Sequence, residues 1–247
     1  MTELLSPQTG QVFLYGLITA AATGLGALPF LFMRRVSAHN VALANALASG
    51  LMLGASSGLL VEGARYGIRQ TVVGGALGVG FILAGERLLA GRQVEFGALK
   101  GAGARKILLI LAVMTLHSFS EGVAVGVAFG GGVKLAALIT IAIAVHNIPE
   151  GLAISAVMRP KGSSIAACAG WSIFSSLPQP LMAVPAFLFV EAFQPVLPYG
   201  LGFAAGAMVF MVFLELLPEA YENASATAVG MWVSSSLGAM ILFQRFL

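Results

Sequence analysis

The chain has 247 residues, of which 58% are hydrophobic and 9% charged, against about 25% charged in an average soluble domain. Thirteen Lys and Arg and ten Glu, with no Asp, cannot supply the polar shell of a soluble fold, so composition excludes an ordinary soluble protein and makes the bilayer the expected solvent. The net charge of +3 is scattered, without a basic run or interleaved aromatics, which argues against a nucleic-acid surface and fits loop anchors beside a membrane.

A spanning helix needs about 20 apolar residues. Apolar stretches interrupted by charge, Pro or Gly predict eight spans near 11–33, 39–61, 70–90, 105–130, 134–158, 163–190, 197–220 and 225–246, so that residues 1–247 form one all-α transmembrane domain. The start, MTELLSPQTGQVFLYG, lacks the basic opening of a signal peptide, and the first apolar run is expected to stay as a span. Span two opens beside His39 and Asn40, expected at the interface, and carries Met52 before ending in Leu-Leu-Val-Glu62. After span three, Gly91 to Gly103 is the longest polar interruption and reads as a loop.

Spans four and five carry the chemistry. His117-Ser118-Phe119-Ser120-Glu121-Gly122 and His146-Asn147-Ile148-Pro149-Glu150-Gly151 repeat the pattern H-x-x-x-E-G, 29 residues apart. Residues four apart on a helix share a face, so each imidazole and carboxylate converge on one point. Each His lies about 12 residues into its span, or about 18 Å deep in a hydrocarbon layer of about 30 Å. A carboxylate at that depth costs at least a few kcal/mol and needs a partner. A single pair can be a structural tie between helices, but two at matching depth on consecutive spans point to a shared divalent cation. Pro149 removes the hydrogen bond to the carbonyl of Val145 and is expected to open the helix beside His146.

Span six holds Cys168, the single cysteine and an expected core residue, and then Gln179-Pro180. Span seven runs from Gly206-Ala-Met-Val to Leu-Leu-Pro-Glu219 and loosely repeats Gly50-Leu-Met-Leu and Leu-Leu-Val-Glu62 of span two, with a spacing one residue longer. Such repeats relate the two halves of many transporters. Alternating spans put nine basic residues on the side of the odd-numbered connections and four on the other, which orients both termini outside the cytoplasm. No G-x-x-x-x-G-K-[ST] loop for ATP is present. A membrane zinc enzyme, the competing reading, is expected to show H-E-x-x-H, whereas Ser118 and Asn147 follow these histidines.

At these motifs, and in G-F-A-A-G-A-M-V-F-M-V-F-L-E-L-L-P-E-A of span seven, the chain resembles the ZIP family of divalent metal transporters. The resemblance implies an eight-helix membrane protein in a 3+2+3 inverted-repeat arrangement, with a transport site between spans two, four, five and six. It implies His117, Glu121, His146 and Glu150 as metal ligands and Met52 as a soft fifth. Two imidazoles and a thioether suit Zn2+, with Fe2+, Cd2+ or Mn2+ as alternatives, carried as substrate toward the cytoplasm and not held as a cofactor. A second metal position found in the family would fall on Ser118, Asn147 and Gln179, where carboxylates are missing. One tight metal is therefore expected, with Gln179 and Asn147 bonded to the ligating carboxylates instead. Glu215 of span seven matches a family position on the exit route, and Glu62 falls at the entrance end. The resemblance also implies a homodimer in the cell's plasma or inner membrane, with lipid as its other partner.

Overall fold

In lipid, runs this apolar can satisfy their backbone only as helices or closed barrels, and among the described residues every regular element is helical. The computed structural model describes residues 7–33, 37–90 and 102–246. The elements are α1 (Pro7–Leu25), a 3₁₀ turn (Leu28–Leu31), α2 (Ala38–Ala90), α3 (Ala102–Gly130), α4 (Val133–Met158), α5 (Ile165–Ser176) and α6 (Pro178–Ala192). They continue with α7 (Leu197–Met211), a π-helical turn (Val212–Leu216), α8 (Leu217–Asn223) and α9 (Ala226–Phe246). Among the described residues six helical stretches are long and apolar enough to cross a membrane, one of them the 48-residue stretch Ala38–Gly85.

Two boundaries differ from the sequence expectation. Spans two and three are joined without a loop, because only Gly67 leaves the helical region, with φ 168° and ψ 106°. Span six is split into α5 and α6 at Leu177. The cause is local: Pro178 and Pro180 supply no backbone N–H, while Pro suits the first turn of a helix. The expected loop from Gly91 to Gly103 falls on residues 91–101, outside the described residues, and α3 has already begun at Ala102. α4, in contrast, runs from Val133 to Met158 through Pro149.

The π-helical turn accounts for the imperfect repeat. Glu62 follows Gly50 by 12 positions and Glu219 follows Gly206 by 13, and a π-turn is the insertion of one residue into an α-helix. It lies at Val212–Leu216, inside the longer copy. Met52 and Met208, which hold the same place in the two copies, are both buried in the main apolar core.

Close helix contacts at glycine sort the helices into two groups. In one, α2 meets α7 and α9: a Cβ at Gly74 would strike the carbonyl of Tyr199, and one at Gly50 the carbonyl of Val233. In the other, α1, α3, α4 and α6 meet in the same way, Gly16 against Pro180, Gly126 against the carbonyl of Ala183, and Gly151 against the carbonyl of Thr23. Among the described residues, every glycine whose Cβ would come within 3 Å of another helix's backbone makes that contact inside its own group. Between the groups, packing is through side chains of the main core, including Met52, Leu59, Val127, Ile143, Leu201 and Met208. Small residues that admit backbone contact join membrane helices tightly, so the helices within each group are held by backbone approach at glycine, which the seam between the groups lacks among the described residues.

Candidate metal centre

The two H-x-x-x-E-G motifs occupy neighbouring helices, His117 and Glu121 on α3, His146 and Glu150 on α4. All four side chains are at most 2% exposed. One ligand atom from each lies within 4.8 Å of all the others, and they are the one such group of His, Cys or Glu among the described residues. The motif glycines set the distances around them. A Cβ on Gly122 would stand 2.6 Å from the carbonyl oxygen of Gln179, and one on Gly151 would collide with the carbonyl of Thr23. Glycine after each Glu thus draws α6 and α1 against the backbone beside the carboxylates.

Oε1 of Glu150 lies 2.9 Å from Nε2 of both His117 and His146. Oε1 of Glu121 lies 3.5 Å from Nε2 of His117 and 3.7 Å from Nε2 of His146. Zinc bonds to nitrogen and oxygen in a tetrahedral site imply edges of about 3.4 Å between ligand atoms, the middle of the observed 2.9–3.7 Å range. His146 hydrogen-bonds Glu150. Nε2 of His117 and Oε1 of Glu121 are buried and have no hydrogen-bond partner. Buried polar atoms left unpaired are costly, and here two of them border a single point between four donors. Two imidazoles and two carboxylates there match the ligand chemistry and the charge of a zinc-like dication.

A second layer of neutral polar groups backs this quartet. Gln179, fully buried at the start of α6, donates from Nε2 to Oε2 of Glu121 at 2.5 Å and lies 3.5 Å from Oγ of Ser118. Asn147 donates from Nδ2 to Oε1 of Gln179 at 3.1 Å and to the carbonyl of Thr19 at 2.8 Å. Of the residues singled out from sequence, Gln179 therefore reaches a carboxylate directly and Asn147 acts through it. The part of Thr19 was missed, since a main-chain carbonyl leaves no mark in sequence.

Met52 is buried in the apolar core on α2, the far side of the seam. Glu215 is half-buried in the π-helical turn, outside the quartet. Glu62 pairs with Arg65 at 3.0 Å. His39 is exposed and lies within hydrogen-bond distance of the carbonyl of Asn223, 3.2 Å away. A contact not foreseen joins the same region: Asn45, buried on α2, donates to Oε2 of Glu219 at 3.1 Å. An Asn inside an apolar span was the available signal.

The family described as ZIP Zinc transporter matches residues 95–244. A protein of Arabidopsis thaliana named as a candidate zinc transporter is 46% identical over 243 residues, covering 95% of this chain and 39% of the relative. Zinc transporter GufA of Myxococcus xanthus is 31% identical over 234 residues, covering 87% of this chain and 92% of GufA. Zinc transporter ZIPB of Bordetella bronchiseptica is 31% identical over 258 residues, covering 96% of this chain and 82% of ZIPB. The chain thus spans well under half of the plant relative and most of the two bacterial ones. These relatives are named as transporters, not enzymes. With a family match over more than half its length and relatives similar from end to end, the chain is an integral membrane protein of the ZIP zinc transporter family.

Proposed function

We propose that the chain moves a divalent cation, Zn2+ first and Fe2+, Cd2+ or Mn2+ as alternatives, across the membrane toward the cytoplasm, through a mid-membrane site of His117, Glu121, His146 and Glu150. The observation that carries this reading is the convergence of the paired motifs on four buried donors, two of them with a ligand atom that has no hydrogen-bond partner. One ion occupies the site, since Ser118, Asn147 and Gln179 add no charge with which to hold a second. The two carboxylates neutralise its charge, and Met52 is a soft ligand reached from the opposite helix group. Glu215 serves as a weaker site on the exit route.

In this reading α3, the halves of α2 on either side of Gly67, and the other spanning stretches make eight crossings in a 3+2+3 inverted repeat over residues 1–247. Both termini lie outside the cytoplasm and the protein sits in the cell membrane. The four His and Glu ligands stand on one helix group, with Met52 alone reaching them from the other, so rocking that group against its neighbour carries the ion between the two faces, as transporters built from repeats do. The test is metal uptake by proteoliposomes holding the intact protein or Glu150→Ala, with the four metals in competition. Saturable uptake that disappears in the variant is expected. Metal binding without uptake would overturn transport in favour of a membrane zinc enzyme, and uptake linear to very high concentration would overturn the carrier.

A further inference from the structure

We infer that Gln179 is a positioning residue that sets the ion-size preference of the site, by fixing Glu121 as a one-oxygen ligand. This rests on the transport-site reading above. The two oxygens of Glu121 have different surroundings: Oε2 accepts the amide N–H of Gln179 at 2.5 Å, while Oε1 is unpaired and faces both histidines, at 3.5 and 3.7 Å. Oε1 is thus the oxygen aimed at the histidines, and a metal bond from Oε2 would have to share an oxygen that the amide already engages.

The amide is held firmly in place. Its own oxygen accepts from Asn147 at 3.1 Å, and Asn147 is tied to the Thr19 carbonyl at 2.8 Å. The backbone at Gln179 is wedged from both sides. The Cβ of a side chain at Gly122 of α3 would lie 2.6 Å from the Gln179 carbonyl, and one at Gly16 of α1 would lie 2.6 Å from the Cα of Pro180. Glu121 therefore cannot turn to offer its second oxygen without breaking a buried chain that crosses α3, α6, α4 and α1.

Denticity is a size filter. A carboxylate with both oxygens free can chelate a large cation with a flexible coordination shell, whereas zinc is satisfied by four short bonds in tetrahedral array. Cd2+ has the charge and filled d shell of Zn2+ with a larger radius, so the change in the ratio of the two affinities between wild type and variant reads a change in the number of oxygens that Glu121 supplies. The amide donor on Oε2 biases the site toward the smaller ion.

The experiment measures Zn2+ and Cd2+ affinity of the purified full chain by competition with a chelating dye, for the wild type, Gln179→Met and Asn147→Leu. Gln179→Met keeps the volume and removes the donor; Asn147→Leu removes the group that aims it. In Gln179→Met, Zn2+ affinity falls about 10-fold and Cd2+ affinity less than about 3-fold, the scale of a lost hydrogen bond to a metal ligand. Asn147→Leu moves the ratio the same way by less, and it carries the test if Gln179→Met does not fold. X-ray absorption of bound Cd2+ gains one oxygen neighbour in Gln179→Met. An equal fall for both metals, or an unmoved ratio, overturns the inference while leaving the transport site standing. Failure of the wild-type chain to bind either metal overturns both.

Discussion

Nε2 of His117 lies 2.9 Å from Oε1 of Glu150 on the neighbouring helix, yet that nitrogen makes no hydrogen bond. The same nitrogen lies 3.5 Å from Oε1 of Glu121, and one ligand atom from each of His117, Glu121, His146 and Glu150 lies within 4.8 Å of all the others. Side chains aimed at a common point act as a unit, so their substitutions do not add. His117→Ala and Glu150→Ala are each expected to lower zinc affinity about 100-fold, at least the upper end of what loss of a supporting group costs. The double variant should fall little further. Isothermal titration of the three proteins checks this, and additive losses would mean that the two residues serve different ions.

Proton competition gives a sign for the pH dependence. Metal binding needs neutral imidazoles and ionised carboxylates, so every ligand protonated before binding has to release its proton. Zinc affinity is expected to be highest on the alkaline side and to fall steadily as the solution is acidified from about pH 8 to about pH 5, because protons then compete with the metal for its ligands. The same titration in buffers of different ionisation enthalpy should report protons released on binding. Affinity independent of pH over that range would exclude His117 and His146 as ligands.

The quartet was legible in sequence because both motifs are local: an i, i+4 spacing on a helix states by itself which face two side chains share. The transmembrane stretches were legible for the same reason, as apolar composition acts segment by segment. What joins distant segments was less so. The Asn147 to Gln179 bond crosses 32 residues and the Asn147 to Thr19 bond 128, and both depend on α1, α4 and α6 being pulled together at Gly151 and Gly16. Gln179 could be named as a neighbour of the carboxylates, but not the oxygen that it occupies. The π-helical turn left a trace, the one-residue mismatch between the repeats, that became readable only once Val212–Leu216 was seen to absorb it.

Backbone contact at Gly151 makes a stability prediction separate from metal binding. An added methyl there would overlap the carbonyl of Thr23, which is main chain and cannot rotate away. Gly151→Ala is expected to push α1 from α4 and cost about 1–3 kcal/mol, the range for overpacking a close contact. Gly170→Ala is the control, since its Cβ would meet nothing within 4 Å and the change should stay within about 0.5 kcal/mol. Thermal unfolding of the detergent-solubilised variants checks the pair. Equal melting temperatures would show that the α1–α4 contact is looser than its geometry.

The two helix groups can be tested by locking them. In a Cys168→Ala background, Val127→Cys with Gly200→Cys bridges α3 to α7 across the seam, where the Cβ atoms would be 3.5 Å apart. Gly130→Cys with Val190→Cys bridges α3 to α6 inside one group at the same 3.5 Å separation. Both lie at the short end of the Cβ spacing of about 3.5–4.5 Å found in disulfides, so the pairs differ in what they join and not in how readily they form. Oxidation of the first pair is expected to stop zinc uptake by proteoliposomes, to leave equilibrium binding within about 3-fold because no ligand or supporting group is touched, and to be reversed by a reducing agent. Oxidation of the second should leave uptake unchanged, since those helices move together. If the cross-seam disulfide forms completely and uptake continues, the groups do not move past each other, and the ion must travel through a path that opens without displacement along the seam.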